Sequence, residues 1–95
     1  MFVVFLKLTG DRARAGEFMD GHKAWIDRGF DDGVFLVTGS LQPKLGGAIM
    51  AHNTSLPDLQ ARVGEDPFVA ENIATAEIYE ITPAKADDRL DFLLA

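Results

Sequence analysis

The segment MFVVFLKL, Met1–Leu8, decides how the rest of the chain has to be arranged. Its β-branched and aromatic residues favour a strand, and the turn-forming sequence Thr9-Gly10-Asp11 marks where that strand ends. Nearly every residue is apolar, whereas a half-exposed strand would alternate apolar and polar residues. The segment is therefore predicted to be a strand buried on both faces and central in a sheet.

A long helix is predicted after this strand, running roughly from Arg12 to Arg28. Asp11 is suited to be its N-cap, because a short polar side chain can accept a hydrogen bond from the first helical turn. Gly29 is expected to end the helix, since glycine readily adopts the left-handed conformation found after many helices.

Two further strands are predicted in the middle of the chain, Gly33–Ser40 and Gly47–Asn53. The segment between them, LQPKLGG, is rich in turn-forming residues and has the length of a hairpin connection, so the two strands are expected to pair antiparallel. Its final glycine pair lacks the strand–loop–helix context of a phosphate-binding loop and is expected to serve the turn.

A second helix is predicted from its start and stop signals, with Ser55 as N-cap, Pro57 in the first turn and Gly64 at the end. Asp66 and Pro67 repeat the cap-and-proline signature and predict a short third helical turn. The residues expected on the inner face of the second helix are Leu56, Leu59 and Val63.

The last strand is predicted in TAEIYEI, Thr75–Ile81, where side chains alternate between two faces. Such alternation indicates a strand that is half exposed. One face would carry Ala76, Ile78 and Glu80, and the other Glu77, Tyr79 and Ile81.

The order β-α-β-β-α-β predicts an α+β domain over residues 1–83 with a ferredoxin-like fold, in which helices cover one face of an antiparallel sheet. The other face also needs cover, and face-to-face pairing of two copies is the usual way to provide it. Residues 84–95 form a tail with a terminal apolar cluster that is expected to dock on its own or on a partner subunit.

The amino-acid composition argues against several classes of binding partner. The net charge of −6 and the pI of about 4.6 argue against nucleic acid and anionic membranes, which both require a basic surface. The absence of cysteine excludes disulfides and thiolate chemistry and is compatible with a cytoplasmic location. The first apolar segment has no basic region before it and is too short to span a bilayer, so neither a signal peptide nor a membrane anchor is expected.

His22 is the first candidate for chemistry. At about 100° per helical residue it lies about 40° from Phe18 and about 60° from Trp25, so it faces the sheet or its edge rather than bulk water. It is either a buried neutral histidine bonded to a backbone carbonyl or a general acid/base. No cluster of potential ligands has the spacing of a metal site, and neither metal nor cofactor is expected.

Asp66 has two compatible interpretations. Its carboxylate can cap the following helical turn, and it can also orient an imidazole through a charge-assisted hydrogen bond.

Three other residues are candidates for binding a ligand. Ser40 is either a ligand-binding hydroxyl or the start of a turn. Trp25 and Phe68 either line a pocket or belong to the core.

Taken together, these segments resemble the YCII (YciI-like) family over nearly the whole chain up to about Pro83. The shared features, in chain order, are an apolar first strand, a helix carrying a histidine, the motifs TGSL, GGAIM and DPF, and the strand AEIYEI. The usual glycine-proline after the second strand is Gly39-Ser40 here. The resemblance implies a ferredoxin-like dimeric α+β barrel with a histidine and an aspartate in a cleft, which correspond to His22 and Asp66.

The resemblance also suggests a class of reaction, because one relative is a dehydrochlorinase acting on a chlorinated hydroxyquinol. The expected function is a small cofactor-independent lyase or isomerase that moves protons on a small cyclic or aromatic compound, with His22 as base or acid and Asp66 as its support. Two alternatives remain open at this point. One is a non-catalytic dimer that binds a small ligand or a partner domain, and the other is a purely structural dimer.

Overall fold

The first strand lies inside a four-stranded antiparallel sheet. The computed structural model describes residues 1–94. The elements are β1 (Phe2–Leu8), α1 (Ala15–Asp31), β2 (Phe35–Leu41), β3 (Gly46–Ala51), α2 (Leu56–Gly64), α3 (Pro67–Ala70) and β4 (Ala74–Glu80), with 3-10 turns at Arg12–Arg14 and Asp88–Leu94. The strand order in the sheet is β2-β3-β1-β4, which is consistent with a ferredoxin-like fold.

The central position predicted for β1 is confirmed, but burial of both its faces is not. Phe2, Val4 and Leu6 are buried in the core beneath the helices. Val3 and Phe5, on the opposite face, are only half-buried. The expectation of two buried faces is therefore wrong for the single chain, in which the second face remains partly open to solvent.

The first helical segment begins as predicted and ends later than predicted. Asp11 caps it, accepting a hydrogen bond from the Ala13 N–H at 2.9 Å. Gly29 does not end α1, which continues to Asp31; instead it is buried where the helix crosses Phe35, and a Cβ there would overlap that ring. The left-handed glycine is Gly33, with φ of +74°.

A bulge at Leu36 sets which side chains of β2 face the helices. Phe35 pairs with Ala51, but Val37 pairs with Met50, so the register shifts by one residue between them. Because neighbouring strand residues point to opposite faces, the extra residue lets Phe35 enter the core while Thr38 also faces the helices.

Two turn assignments are wrong. Ser40 does not start a turn, because it lies within β2 and pairs with Gly47 of β3. Gly46 and Gly47 likewise belong to β3, so the connection is only residues 42–45. The antiparallel pairing predicted for the two strands is confirmed.

The caps of α2 and α3 form as predicted. The Ser55 hydroxyl accepts a hydrogen bond from the Asp58 N–H at 3.2 Å, and Asp66 caps α3. Leu59 and Val63 are buried, but Leu56 is 36% exposed, so its predicted inward position is wrong. Leu56 is the first residue of the helix, where the chain still approaches from the surface.

β4 forms the outer edge of the sheet beside β1, and the tail beyond it is mostly exposed. Ala76 and Ile78 pack against the core, as the alternating pattern predicts. In the tail, Phe92 makes an edge-on contact with His52, with ring centroids 5.5 Å apart. Within residues 1–94, every helix is too short or too polar to cross a lipid bilayer.

Candidate functional site

His22 and Asp66, the two residues predicted to carry chemistry, are in direct contact. The Nδ1 atom of His22 lies 2.7 Å from Oδ1 of Asp66, although 44 positions separate them along the chain. His22 projects from the middle of α1, and Asp66 precedes α3, which packs against α1. The histidine is bonded to a carboxylate rather than to the backbone carbonyl that the core interpretation requires.

Asp66 is completely buried, and one of its oxygens accepts two hydrogen bonds. Oδ1 accepts from His22 and also from the Phe68 N–H, at 3.1 Å, which caps α3. Within residues 1–94, no donor lies within hydrogen-bonding distance of the other oxygen, Oδ2. A buried carboxylate that is only partly satisfied costs stability, which is typical of groups kept for function.

Phe68 holds the imidazole from one side. The two rings are stacked, with centroids 4.1 Å apart and planes 5° from parallel. The ring of His22 therefore has a fixed plane as well as a fixed hydrogen bond, and its side chain is only 15% exposed.

Trp25 lies in the core rather than in the cleft. Its side chain is 1% exposed, and its indole N–H donates to the Arg62 carbonyl at 2.9 Å. The indole stacks with the imidazole of His22, and the two ring centroids are 6.0 Å apart. The prediction that Trp25 binds substrate is therefore not retained, because a buried ring on the far side of His22 has no surface to offer a ligand.

A cleft of about 350 Å³ lies between α1 and the sheet, and His22 is in its wall. From α1 it is lined by Met19, His22, Lys23 and Ile26, which are the positions i, i+3, i+4 and i+7 of one helix face. Phe68 closes one side. This volume suits a small organic molecule, because ligand pockets generally span about 300–1,000 Å³.

The floor of the cleft is formed by β1, β2 and β3. Ser40, Gly47 and Leu6 are in register across these three strands, so a residue without a side chain lies between two that have one. Thr38 and Ser40 bring their hydroxyl groups to this floor. Of the predicted substrate-binding residues, Ser40 and Phe68 therefore line the cleft.

The hydrogen bond to Asp66 determines which nitrogen of His22 can act. A carboxylate only accepts hydrogen bonds, so Nδ1 carries the hydrogen and donates it. In the neutral ring this leaves the Nε2 lone pair free to accept a proton from a molecule in the cleft. The arrangement can therefore transfer a proton.

Three linked groups with shifted pKa values lie on the opposite face of the sheet. Nζ of Lys7 lies 2.8 Å from Oε1 of Glu77, and the Tyr79 hydroxyl donates to Oε2 of the same carboxylate at 2.7 Å. These hydrogen bonds lower the pKa of Glu77 and raise the pKa values of Lys7 and Tyr79. All three groups are solvent-accessible and take no part in the cleft.

Most of the residues that line the cleft were not among the predicted site residues, and three of them bear on its chemistry: Lys23, Thr38 and Gly47. Lys23 follows His22 directly and is four positions after Met19, so the helical wheel could have placed it in the same wall. Thr38 and Gly47 could not have been found in this way, because their facing depends on the bulge at Leu36 and on strand register. Among residues 1–94, no group of three or more acidic, histidine or cysteine side chains is arranged to hold a metal ion.

No protein-family model matches the chain, and no curated protein matches it.

Proposed function

We propose that the protein is a small cofactor-independent enzyme, a lyase or an isomerase, that moves a proton on a small cyclic or aromatic compound. The observation that carries the proposal is the 2.7 Å contact between Nδ1 of His22 and a buried carboxylate, in the wall of a cleft of ligand size. A neutral imidazole with one nitrogen anchored and the other facing a cleft is the usual form of a catalytic base.

In the proposed reaction, His22 Nε2 takes a proton from a carbon of the substrate. For a lyase, the electrons of the broken C–H bond form a new double bond, and a leaving group departs with its own bonding pair. For an isomerase, the imidazolium returns the proton to a different carbon. Such general-base catalysis typically contributes about 10²–10⁴-fold to the rate.

Asp66 serves as the positioning residue in this scheme. It holds the hydrogen on Nδ1 and offsets the positive charge that forms on the ring when Nε2 takes a proton. Its own position is fixed by the cap on α3, where the Phe68 N–H donates to the same oxygen at 3.1 Å. Phe68 adds a stacked surface that keeps the ring in plane.

We further propose that two copies pair through the open face of the sheet to form a dimeric α+β barrel, as the resemblance to the YCII family implies. The half-buried Val3 and Phe5 and the exposed side chains of Val37 (56%) and Tyr79 (53%) support this pairing. Exposed apolar side chains of this kind, beside the Lys7–Glu77 ion pair on the same face, are stabilised when a partner covers them.

The experiment uses nitrobenzisoxazole, an uncharged aromatic carbon acid whose ring opens to a coloured phenolate once its C–H proton is removed. The wild-type protein is compared with His22→Gln and with His52→Gln, the other histidine of the chain. Glutamine can still donate to Asp66 but cannot accept the proton. We expect His22→Gln to slow the ring opening by about 10²-fold or more, and His52→Gln to match wild type.

A His22→Gln protein as fast as wild type, or a wild-type protein with no rate above buffer, would overturn the proposal. The alternative function is a non-catalytic dimer that binds a small molecule, and the mostly apolar lining of the cleft favours it. Saturable binding of nitrobenzisoxazole without any His22-dependent ring opening would support that alternative.

A further inference from the structure

The cleft contains a cation that the proton-transfer scheme does not use. Lys23 lines the same wall as His22, one residue further along α1. Within residues 1–94, no carboxylate lies within ion-pair distance of its ammonium group. A lysine in a ligand-sized cleft, without a counter-charge, is available to a ligand.

A second cation, Arg12, is bonded to the turn that leads into the floor of the cleft. The Arg12 guanidinium donates to the Lys44 carbonyl at 3.1 Å, in the turn that leads into Gly46. Gly46 itself lines the cleft. Arg12 is therefore held next to the cleft by a hydrogen bond to the backbone.

The described lining of the cleft contains no carboxylate, although the chain as a whole carries a net charge of −6. The carboxylate of Asp66 is buried and bonded to His22, so it is not exposed to the cleft. Of the described residues that line the cleft, Lys23 is therefore the one with a permanent charge, so the field inside the cleft favours an anion.

The floor defines the shape that fits. Gly47 has no side chain and lies in register between Ser40 and Leu6, so the sheet backbone itself is the surface at that point. Met19 and Ile26 of α1 face this floor from the opposite wall. A flat ring can lie between these apolar side chains and the glycine, with the Thr38 and Ser40 hydroxyls within the same cleft for a second polar substituent.

We infer that the cleft selects small planar organic anions, aromatic or cyclic carboxylates or phenolates, with Lys23 as the counter-charge and Gly47 as the floor beneath the ring. The inference rests on the proposed function, because it takes the cleft beside His22 as the substrate site. It adds the charge and shape of the substrate, neither of which the proton-transfer scheme specifies.

The test compares two ligands of the same shape and different charge, benzoate and benzamide. Binding is followed by NMR titration of the backbone amides at neutral pH and low salt, with the wild type, Lys23→Gln and Lys85→Gln. Lys85 is an exposed lysine of the tail and is the matched control. Shifts of the Lys23 and Gly47 amides on binding locate the ligand in the cleft.

We expect benzoate to bind the wild type about fivefold more tightly than benzamide, the size of effect typical of one solvent-accessible ion pair. Lys23→Gln is expected to remove this preference, and Lys85→Gln to leave it intact. Equal affinity for the two ligands, a preference that survives in Lys23→Gln, or no saturable binding of benzoate at millimolar concentration would each overturn the inference.

These outcomes are separate from those of the ring-opening assay, which uses an uncharged probe and depends on His22. A wild-type protein that opens nitrobenzisoxazole through His22 but binds benzoate and benzamide equally would overturn only the choice of anions. A protein that prefers benzoate through Lys23 but shows no His22-dependent rate would instead overturn the proposed catalysis.

Discussion

The imidazole of His22 lies face to face with the ring of Phe68, with 4.1 Å between centroids and 5° between planes. The same short sequence, DPF, supplies Asp66, whose Oδ1 is bonded to Nδ1 of that imidazole. Phe68 therefore fixes the plane of the ring, and Asp66 fixes its orientation within the plane. A histidine held in both ways lines the cleft and keeps one nitrogen, Nε2, out of the hydrogen bond to Asp66.

Replacing Asp66 by asparagine is expected to preserve the fold and to slow nitrobenzisoxazole opening by roughly 10- to 100-fold. The amide oxygen can still accept from the Phe68 N–H and from Nδ1, but the negative charge is lost. A hydrogen bond to a charged group contributes about 1.5–3 kcal/mol, which corresponds to that factor in rate. Initial rates measure the effect, and circular dichroism verifies folding.

The matched control for this change is Asp58→Asn, in the first turn of α2, where an exposed carboxylate is lost away from the cleft. It should leave the rate unchanged. If Asp66→Asn were as fast as wild type, the carboxylate would be a helix cap and nothing more.

A larger side chain on the floor of the cleft should weaken ligand binding without unfolding the protein. A Cβ at Gly47 would meet only the Gly39 carbonyl oxygen, at an ordinary contact distance of 3.4 Å. Gly47→Leu is therefore expected to fold and to lower benzoate affinity by about tenfold or more, because its side chain occupies the ligand space. Gly64→Leu, where a Cβ meets open space, is the control. Unchanged benzoate affinity in Gly47→Leu would mean that the ligand binds elsewhere.

A charge on the open sheet face should separate the proposed dimer. Val37 is 56% exposed in the single chain, so aspartate is tolerated there in a monomer. In a dimer the carboxylate would be buried without a partner, at a cost of several kcal/mol, which raises the dimer Kd by about 100-fold or more. Sedimentation velocity gives the oligomeric state, with Leu56→Asp on α2 as control. If the wild-type protein itself sediments as a monomer, the proposed dimer is wrong.

The ion pair between Lys7 and Glu77 predicts a pH dependence of stability. The hydrogen bond from Lys7 holds the pKa of Glu77 below its ordinary value of 4.5 in the folded protein. Its stabilising contribution is therefore fully present above pH 4.5 and is lost as the pH falls through the lowered pKa. The pKa of Lys7 is raised above 10.5, so its contribution is lost only in strong alkali.

Thermal melting of Glu77→Gln against wild type measures this dependence. The Tm of the variant should be lower at neutral pH, and the difference should shrink in acid below pH 4.5. Added salt should also reduce it, because the two groups are solvent-accessible in the single chain. Glu80→Gln, on the same strand, is the control. A Tm difference that stays constant from neutral pH into acid would show that the pair contributes nothing through its charge.

Two glycines of α1 should respond oppositely to alanine. At Gly29 a Cβ would overlap the Phe35 ring, and such overpacking costs about 1–3 kcal/mol. At Gly16 a Cβ meets nothing, and alanine should stabilise the helix by up to about 1 kcal/mol. Urea unfolding of the two variants gives both values. Equal stabilities would contradict the close crossing of α1 over β2.

The features that could be predicted from the sequence depend on residues close together in the chain. Asp11, Ser55 and Asp66 could be identified as caps because a cap needs only the side chain and the next few backbone amides. The alternation of β4 and the nearly continuous apolar run of β1 likewise indicated their places in the sheet. His22 and Asp66 could be singled out, but their contact depends on how α1 docks against α3.

What the sequence could not predict depends on partners far along the chain. Gly29 resembles a helix stop, and only the position of Phe35 shows that it is needed for close packing instead. The bulge at Leu36 follows from pairing with β3, and without it Thr38 and Ser40 could not be assigned to the cleft. Trp25 lies on the same helix face as His22. Only the structure shows that Trp25 is buried in the core, whereas His22 lines the cleft.

The double hydrogen bond to Asp66 Oδ1 makes the amide of Phe68 a natural probe of the intact site. α3 has four residues, too few to hold together as an isolated helix. Any fluctuation that opens it frees the Phe68 N–H to exchange with deuterium, and a fluctuation that moves Asp66 away also breaks its bond to His22. The protection factor of this single amide would therefore report the fraction of molecules whose histidine is correctly held.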